Sequence, residues 1–448
     1  MIHSLRKTPE LIVIFGLAAV YIASQLWQGE ALFWVAGGLV FAAILAMLPR
    51  LRGMTLGLTL AFVIAGSILL AVQDVGVRSW FEAAGINATI VTLFVFAPLF
   101  GIPVRIPSYL KALERFYETS LTSGTVLFVG TQMLTLIMGV FINVGSIPVV
   151  YNLAFVKPRP GVAGLLANAL NRGFAGAIFW SPYFAAMALI TSALSVSWSA
   201  LLPYMLALSA LSLLVSLAVD WRGLRRIEEQ GAGEESEGKG AFPLGLGLYL
   251  VSAIAFVLLL ERVLEWQMLL ITCLAAVIFP LGWCLAKGAM PTYRQGFANH
   301  VEVTLPALKK EIALFLAAGF FSGSIGATGF GESIPKLLAP IPLPIDVTFA
   351  VFAVVLIVGT SMIGLHPIVL VTVLANGIDP QSVGLTPLWL AVLLLGSWGA
   401  SNTVSPASAV NNLLAGLFRK SVFELARQNY KFSLCMAVLL PLYVWVMK

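Results

Sequence analysis

Charge is scarce in this chain: Asp, Glu, Lys and Arg together make 10% of its 448 residues, too few to hydrate the surface of a soluble protein of that length. Cysteine is scarcer, and Cys273, Cys284 and Cys435 all lie inside or beside apolar runs, so neither a disulfide framework nor a thiolate metal site is implied. Only three histidines occur, and His3 and His300 fall outside the apolar runs. There is no Gly-x-Ser-x-Gly elbow, no His-Glu-x-x-His, no pair of aspartates and no nucleotide-binding glycine fingerprint. These absences point away from an enzyme and from a bound cofactor.

What is abundant is apolar: 60% of the residues are hydrophobic. A membrane span needs about 20 such residues to cross roughly 30 Å of hydrocarbon. Runs of that kind recur from 11–28 to 432–447. Allowing for half-spans, the pattern predicts an all-α, polytopic membrane protein of about 11 crossings. Arg6 and Lys7 precede the first run as in a signal peptide, but the run is long and lacks a small-residue cleavage pattern, so it reads as a span.

Basic residues cluster at Arg50/Arg52, Arg105/Lys111/Arg115, Arg222/Arg225/Arg226, Lys309/Lys310 and Arg419/Lys420. They share one side if the N-terminus is cytoplasmic and the segments near 122–156 and 311–342 return to the side they left. The expected location is therefore the cell (inner) membrane with the N-terminus inside. The net charge of +6 is then an inner-edge property, with no call for nucleic acid as a partner.

The longest polar interruption, Asp220 to Gly240, is charged and glycine-rich and reads as a cytoplasmic linker. It divides the chain into N-terminal spans (1–53), a first repeat (54–219), the linker (220–241), a second repeat (242–431) and a last span (432–448). Three landmarks suggest the repeat: Ser146-Ile-Pro148 with Ser333-Ile-Pro335, Ser181-Pro182 with His366-Pro367, and Leu202-Pro203 with Thr386-Pro387. Proline in a membrane helix removes an N–H and frees a carbonyl, which lipid cannot satisfy. Broken helices and re-entrant hairpins are expected at Pro148, Pro182, Pro335, Pro367 and Pro406. Amphipathic segments at 107–117 and 292–311 read as arms along the cytoplasmic surface.

Polar residues inside apolar runs nominate the site. Gly396 to Asn412 holds eight hydroxyl or amide side chains, Ser401, Asn402 and Thr403 among them. Phe141 to Pro148 offers Asn143 and Ser146, and oxygen ligands without a carboxylate suit a monovalent cation such as Na⁺. The glycine-rich stretch Phe320 to Pro335 reads as a hairpin tip carrying Glu332 and Ser333. Glu332 either holds a cation or proton or pairs with Lys336 one turn on. His366 suits proton coupling, donation to an anion, or a neutral hydrogen bond within the bundle. Arg172, just ahead of Ser181, either grips a carboxylate or snorkels to headgroups.

Gly399-Ala-Ser-Asn-Thr-Val-Ser-Pro406 resembles the Ser-Asn-Thr motif of the ion transporter superfamily, which includes divalent anion/sodium symporters and resembles the large subunits of TRAP-type carriers. The resemblance implies two repeats, hairpins, broken helices and a core that shifts like an elevator against a scaffold, moving a small organic anion with Na⁺. It implies roles for Ser401, Asn402 and Thr403 in cation and carboxylate binding. The first half departs from it, with Ile142-Asn143-Val144 in place of a second motif, so only Asn143 carries over. The expectation is a secondary active transporter, Na⁺- or H⁺-coupled, as a homodimer in the bilayer. Its expected substrate residues are Asn143, Ser146, Arg172, Ser181, Ser333, His366 and Ser401 to Thr403; Asn143, Glu332, Ser333, Asn402 and Thr403 are expected to hold the coupling ion. A cation/proton antiporter using Glu332 and His366, or a proton-coupled exporter, is the alternative.

Overall fold

The computed structural model describes residues 9–27, 29–121, 123–155, 161–230, 242–329, 331 and 333–448. These residues form helices and short connections, with no strand among them. Twelve helical runs are long and apolar enough to cross a membrane.

Helix α1 (Pro9–Leu26) comes first. Then follow α2 (Glu30–Met47), α3 (Gly53–Val72), and the bent run α4 (Val77–Gly85) and α5 (Ala88–Phe96). The arm α6 (Pro107–Ser120) leads into α7 (Gly124–Ile142) and α8 (Ser146–Ala154). A broken run, α9 (Ala163–Trp180) and α10 (Ala185–Leu194), precedes the long α11 (Trp198–Gln230). The second half has α12 (Leu244–Val263), α13 (Met268–Ala286), the arm α14 (Met290–Asn299), α15 (Lys309–Ala327) and the short α16 (Ser333–Leu338). It continues with α17 (Ile345–Met362), α18 (Pro367–Gly377), the broken run α19 (Pro387–Val404) and α20 (Ala409–Phe418), then α21 (Val422–Gln428) and α22 (Tyr430–Met447).

A repeat is visible in these boundaries. Ala163 to Pro387 and Ala185 to Ala409 are the same step of 224 residues; the paired helices have 18 residues each, then ten each. Both shorter helices end on a left-handed residue, Ser195 at φ 52° and Arg419 at φ 53°. Gly124 to Ile345 and Ser146 to Pro367 share a step of 221 residues, which pairs α7–α8 with α17–α18.

Both of these pairs are hairpins. A Cβ on Gly173 would strike Gln132, one on Gly139 would lie 2.9 Å from Ala177 Cβ, and Ser181 Oγ donates to Val140 O at 2.9 Å. Residue numbers thus rise together along α7 and α9, so the two run parallel and the chain must turn back through α8 before α9 begins. In the second half, Gly384, just before α19, lies against Ile345 and Asp346 at the start of α17. The broken runs cross antiparallel, since Gly399 packs on Phe179 and Ala175 while Thr403 meets Asn171. The first hairpin therefore enters from the side of the 220–241 segment, the linker side, and the second from the opposite side. Besides the two hairpins, eleven runs pass through the bundle among the described residues: α1, α2, α3, α4–α5, α9–α10, α11, α12, α13, α15, α19–α20 and α22.

The register differs from the sequence expectation. Ser181-Pro182 pairs with Ser405-Pro406 instead of His366-Pro367, and Thr386-Pro387 pairs with Val162-Ala163. Proline position misled because most of these prolines occur in only one copy. The stretch 311–342 is not a hairpin: α15 starts at Lys309, bound to Glu10 at 3.3 Å together with Arg50 on the linker side, and runs through to the far end where α17 begins. Two of its glycines serve packing, since a Cβ on Gly319 would lie 2.6 Å from Asn87 Cβ and one on Gly323 2.5 Å from Ala83 Cα. Both segments expected as arms are helical, yet they are not repeat mates, because α6 follows α5 whereas α14 precedes α15. The linker is shorter than its polarity suggests: α11 continues to Gln230, supported by Asp220 bonding back to α9 and by the Arg225–Glu229 pair.

Candidate functional site

The two broken runs cross at the centre, each with a hairpin alongside, so four helix N-termini (α8, α10, α18, α20) and four C-termini (α7, α9, α17, α19) lie inside the fold. Such ends carry unpaired N–H and C=O groups and opposite partial charges.

In the second break, Ser405-Pro-Ala-Ser408, nearly every partner is an amide. Asn411 Nδ2 faces the carbonyls of Asn402, Thr403 and Ser405 at 3.3, 3.2 and 2.9 Å. Asn171 Nδ2, from α9, donates to Thr403 O at 3.2 Å and to Asn411 Oδ1 at 2.7 Å. Ser408 Oγ caps α20 and donates to Asn402 Oδ1 at 3.0 Å, which ties the two sides of the break together. Ser401 and Thr403 turn their hydroxyls back onto Trp398 O and Ala400 O, both at 2.8 Å. Three buried polar atoms are left without a partner here: Asn171 Oδ1, Asn402 Nδ2 and Ser405 Oγ. Buried polar groups are rarely left unpaired, so these three atoms are open to a solute, an ion or water.

The first break, Ser181-Pro-Tyr-Phe184, is aromatic. Ser181 Oγ holds it to Val140 O, and Trp198 Nε1 donates to Trp180 O at 2.8 Å. Tyr183 is buried with its hydroxyl unpartnered and its ring 4.0 Å from that of Phe100. It borders a cavity of about 20 Å³ that also touches Asn143 and Phe94.

Asn143 sits at the tip of the first hairpin with φ 55° and ψ −137°, a conformation suited to glycine; its repeat mate is Gly364, at φ 102°. Asn143 Oδ1 accepts Val144 N at 2.7 Å, and Ser146 Oγ donates to Asn143 O at 2.8 Å. His366 lies at the second tip, where Nδ1 accepts Ile368 N at 3.2 Å and caps α18. That bond directs the ring proton to Nε2. Its ring is 5.2 Å from Phe315 and 6.0 Å from Trp398, and Phe315 stacks on Phe94. Both tips therefore face aromatic side chains of α5 and α15.

The structure thus brings Asn143, Ser146 and Ser181 together at one half-site, and Ser401, Asn402, Thr403 and His366 around the other. Ser333 is apart, exposed on α16, because 320–335 is the outer end of a through-running helix. Glu332 lies outside the described residues. Arg172 is fully buried and already paired: Nη1 meets Asp220 Oδ2 at 2.8 Å and Ser216 Oγ at 3.1 Å, Nε meets Asn429 Oδ1 at 2.8 Å, and the guanidinium lies 4.9 Å over Phe432. It does not snorkel; it binds α9 to α11 and α22, while its Nη2 is left without a partner. The sequence reading counted Ser405, Ser408 and Asn411 among the eight polar side chains of 396–412 without naming them as ligands, and it passed over Asn171. All four are polar residues in or beside the motifs singled out, but their partners are more than 200 residues away or across the break, beyond the reach of spacing.

Comparison with protein-family profiles and with curated proteins gives no match. Among solved structures, a crystal structure of the Alcanivorax borkumensis YdaH transporter, said to have an unusual topology, is similar: TM-score 0.58 over 87% of this chain and 98% of that one, at 16% identity. At that identity what is shared is the fold.

Proposed function

We propose that the chain is a secondary active transporter of the ion transporter superfamily type, moving a small organic anion together with Na⁺. The observation that carries this is the second break, where unpartnered amide and hydroxyl groups are buried beside the carbonyl end of α19 and the N-terminus of α20. Carbonyl ends favour a cation and helix N-termini an anion, so one break suits an ion and a carboxylate side by side. The donor set fits Na⁺: Ser405 Oγ and Asn171 Oδ1 are hard oxygens without a partner, and no group of His, Cys, Asp or Glu able to hold a metal occurs among the described residues. The anion is met by helix N-termini, the Asn402 amide and His366 Nε2–H.

The similarity to a transporter fold supports the same reading. In it the two hairpins and broken runs move as a core against α1 to α5 and α13, in an elevator within a homodimer of the inner membrane, N-terminus cytoplasmic. The test is a thermal-shift screen of small carboxylates against the purified chain. Stabilisation by a carboxylate that grows with Na⁺ and not with K⁺ supports the proposal, since a ligand of the native state raises apparent stability; stabilisation indifferent to Na⁺ overturns the coupling. For the elevator, a Gly101→Cys/Ile142→Cys pair joins the segment that continues α5 on the α1–α5 body to the tip of the first hairpin, where a Cβ on Gly101 would lie 3.3 Å from Ile142 Cα. Cross-linking should stop transport and reduction restore it; full transport in the cross-linked protein would refute the motion.

A further inference from the structure

A second cavity, of about 340 Å³, opens on the side opposite the linker, away from both breaks. Its wall comes from both bodies: Tyr21 and Thr89 from α1 and α5, Ser192 from α10, Gln267 from the start of α13, and Asn376 from the end of α18. The rim residues Ser192, Gln267 and Asn376 are exposed, while Tyr21, Thr89 and Asn87 form a buried floor. Every lining side chain is uncharged. The floor is built: Thr89 Oγ1 donates to Tyr21 Oη at 3.0 Å, and Asn87 Nδ2 donates to Phe315 O at 2.8 Å in the space left by Gly319. Asn87 is fully buried, yet its Oδ1 has no partner. A buried acceptor left bare is destabilising unless a donor reaches it.

We propose that this cavity is a binding site for a small, uncharged molecule bearing O–H or N–H donors, such as a polyol or a primary amide, with Asn87 Oδ1 as the anchoring acceptor. The volume suits one small molecule. With no lining charge to balance an ion, the wall of hydroxyl and amide groups suits a neutral molecule better. Because the wall joins α10 and α18 to α1 and α5, an occupant bridges the two bodies and holds them in the present arrangement. The site stands whatever solute is bound at the breaks.

The test places a reporter thiol on the rim, Ser192→Cys, in the full chain carrying Cys435→Ser; the other two cysteines are buried. Methanethiosulfonate reagents bearing a hydroxyethyl, a trimethylammonium or a sulfonate group are compared, with exposed Ser197→Cys as reference and Asn376→Cys as a second reporter should the first fold poorly. The neutral reagent should react at least about tenfold faster than either charged one at the rim, relative to the reference. Glycerol and acetamide should slow that reaction, and Asn87→Leu should abolish their protection. Equal rates for the three reagents, no rim labelling at either reporter, or protection that persists in Asn87→Leu would overturn the proposal.

Discussion

The two Ser-Pro breaks occupy equivalent places in the repeat and are built from opposite materials. At the first, Ile178, Phe179, Trp180, Tyr183 and Phe184 pack the crossing; the equivalent positions of the second hold Asn402, Thr403, Val404, Ala407 and Ser408. The tips differ as well, with Asn143 forced into a glycine-like conformation at one and a true glycine, Gly364, at the other. Support is divided likewise: Arg172 binds α9 to Asp220, whereas its repeat mate Gly396 lets α19 approach Leu440 and Leu208 directly. One backbone device thus serves two ends. A broken helix exposes peptide groups in both repeats, but only the second surrounds them with side chains able to exchange partners.

The largest effect should come from the support. Asp220→Asn or Arg172→Met leaves a buried charge unpaired and should lower stability by about 3–5 kcal/mol, read as thermal unfolding in detergent; a mild change would mean that the ion pair is not what holds α9 to α11. Next, giving the second break the first break's residue, Asn402→Ile, should weaken Na⁺ affinity about tenfold to a hundredfold, while Ile178→Val leaves it unchanged. Equal losses from both would erase the asymmetry. Asn411→Ala strands three carbonyls and should cost about 1–3 kcal/mol. Asn143→Gly relieves the backbone and should keep stability within about 1 kcal/mol of the parent or raise it while reducing transport; unchanged transport would make the side chain dispensable. Tyr183→Phe removes an unpartnered hydroxyl and should shift stability by less than about 1 kcal/mol.

The helical class and the breaks at Pro182 and Pro406 were legible because apolar length and proline act locally. Asn143, His366 and Asn402 were legible because a polar residue within an apolar run is conspicuous. The register of the repeat was not, because it resides in helix lengths and in left-handed caps such as Ser195 and Arg419, neither of which carries a glycine or proline signal. The glycines of 320–335 pointed to a tip, yet Gly323, like Gly319 just before the stretch, marks close packing; a glycine looks the same in sequence for either purpose. Arg172 could not be assigned without Asp220, 48 residues on in a segment that reads as linker.

Equilibrium binding of radiolabelled Na⁺ to the purified chain, to Asn402→Ile and to Ile178→Val tests the polar break most directly. Saturable binding that is lost in Asn402→Ile and kept in Ile178→Val is the predicted result. Binding that survives in Asn402→Ile, or no saturable binding in the parent, would contradict it.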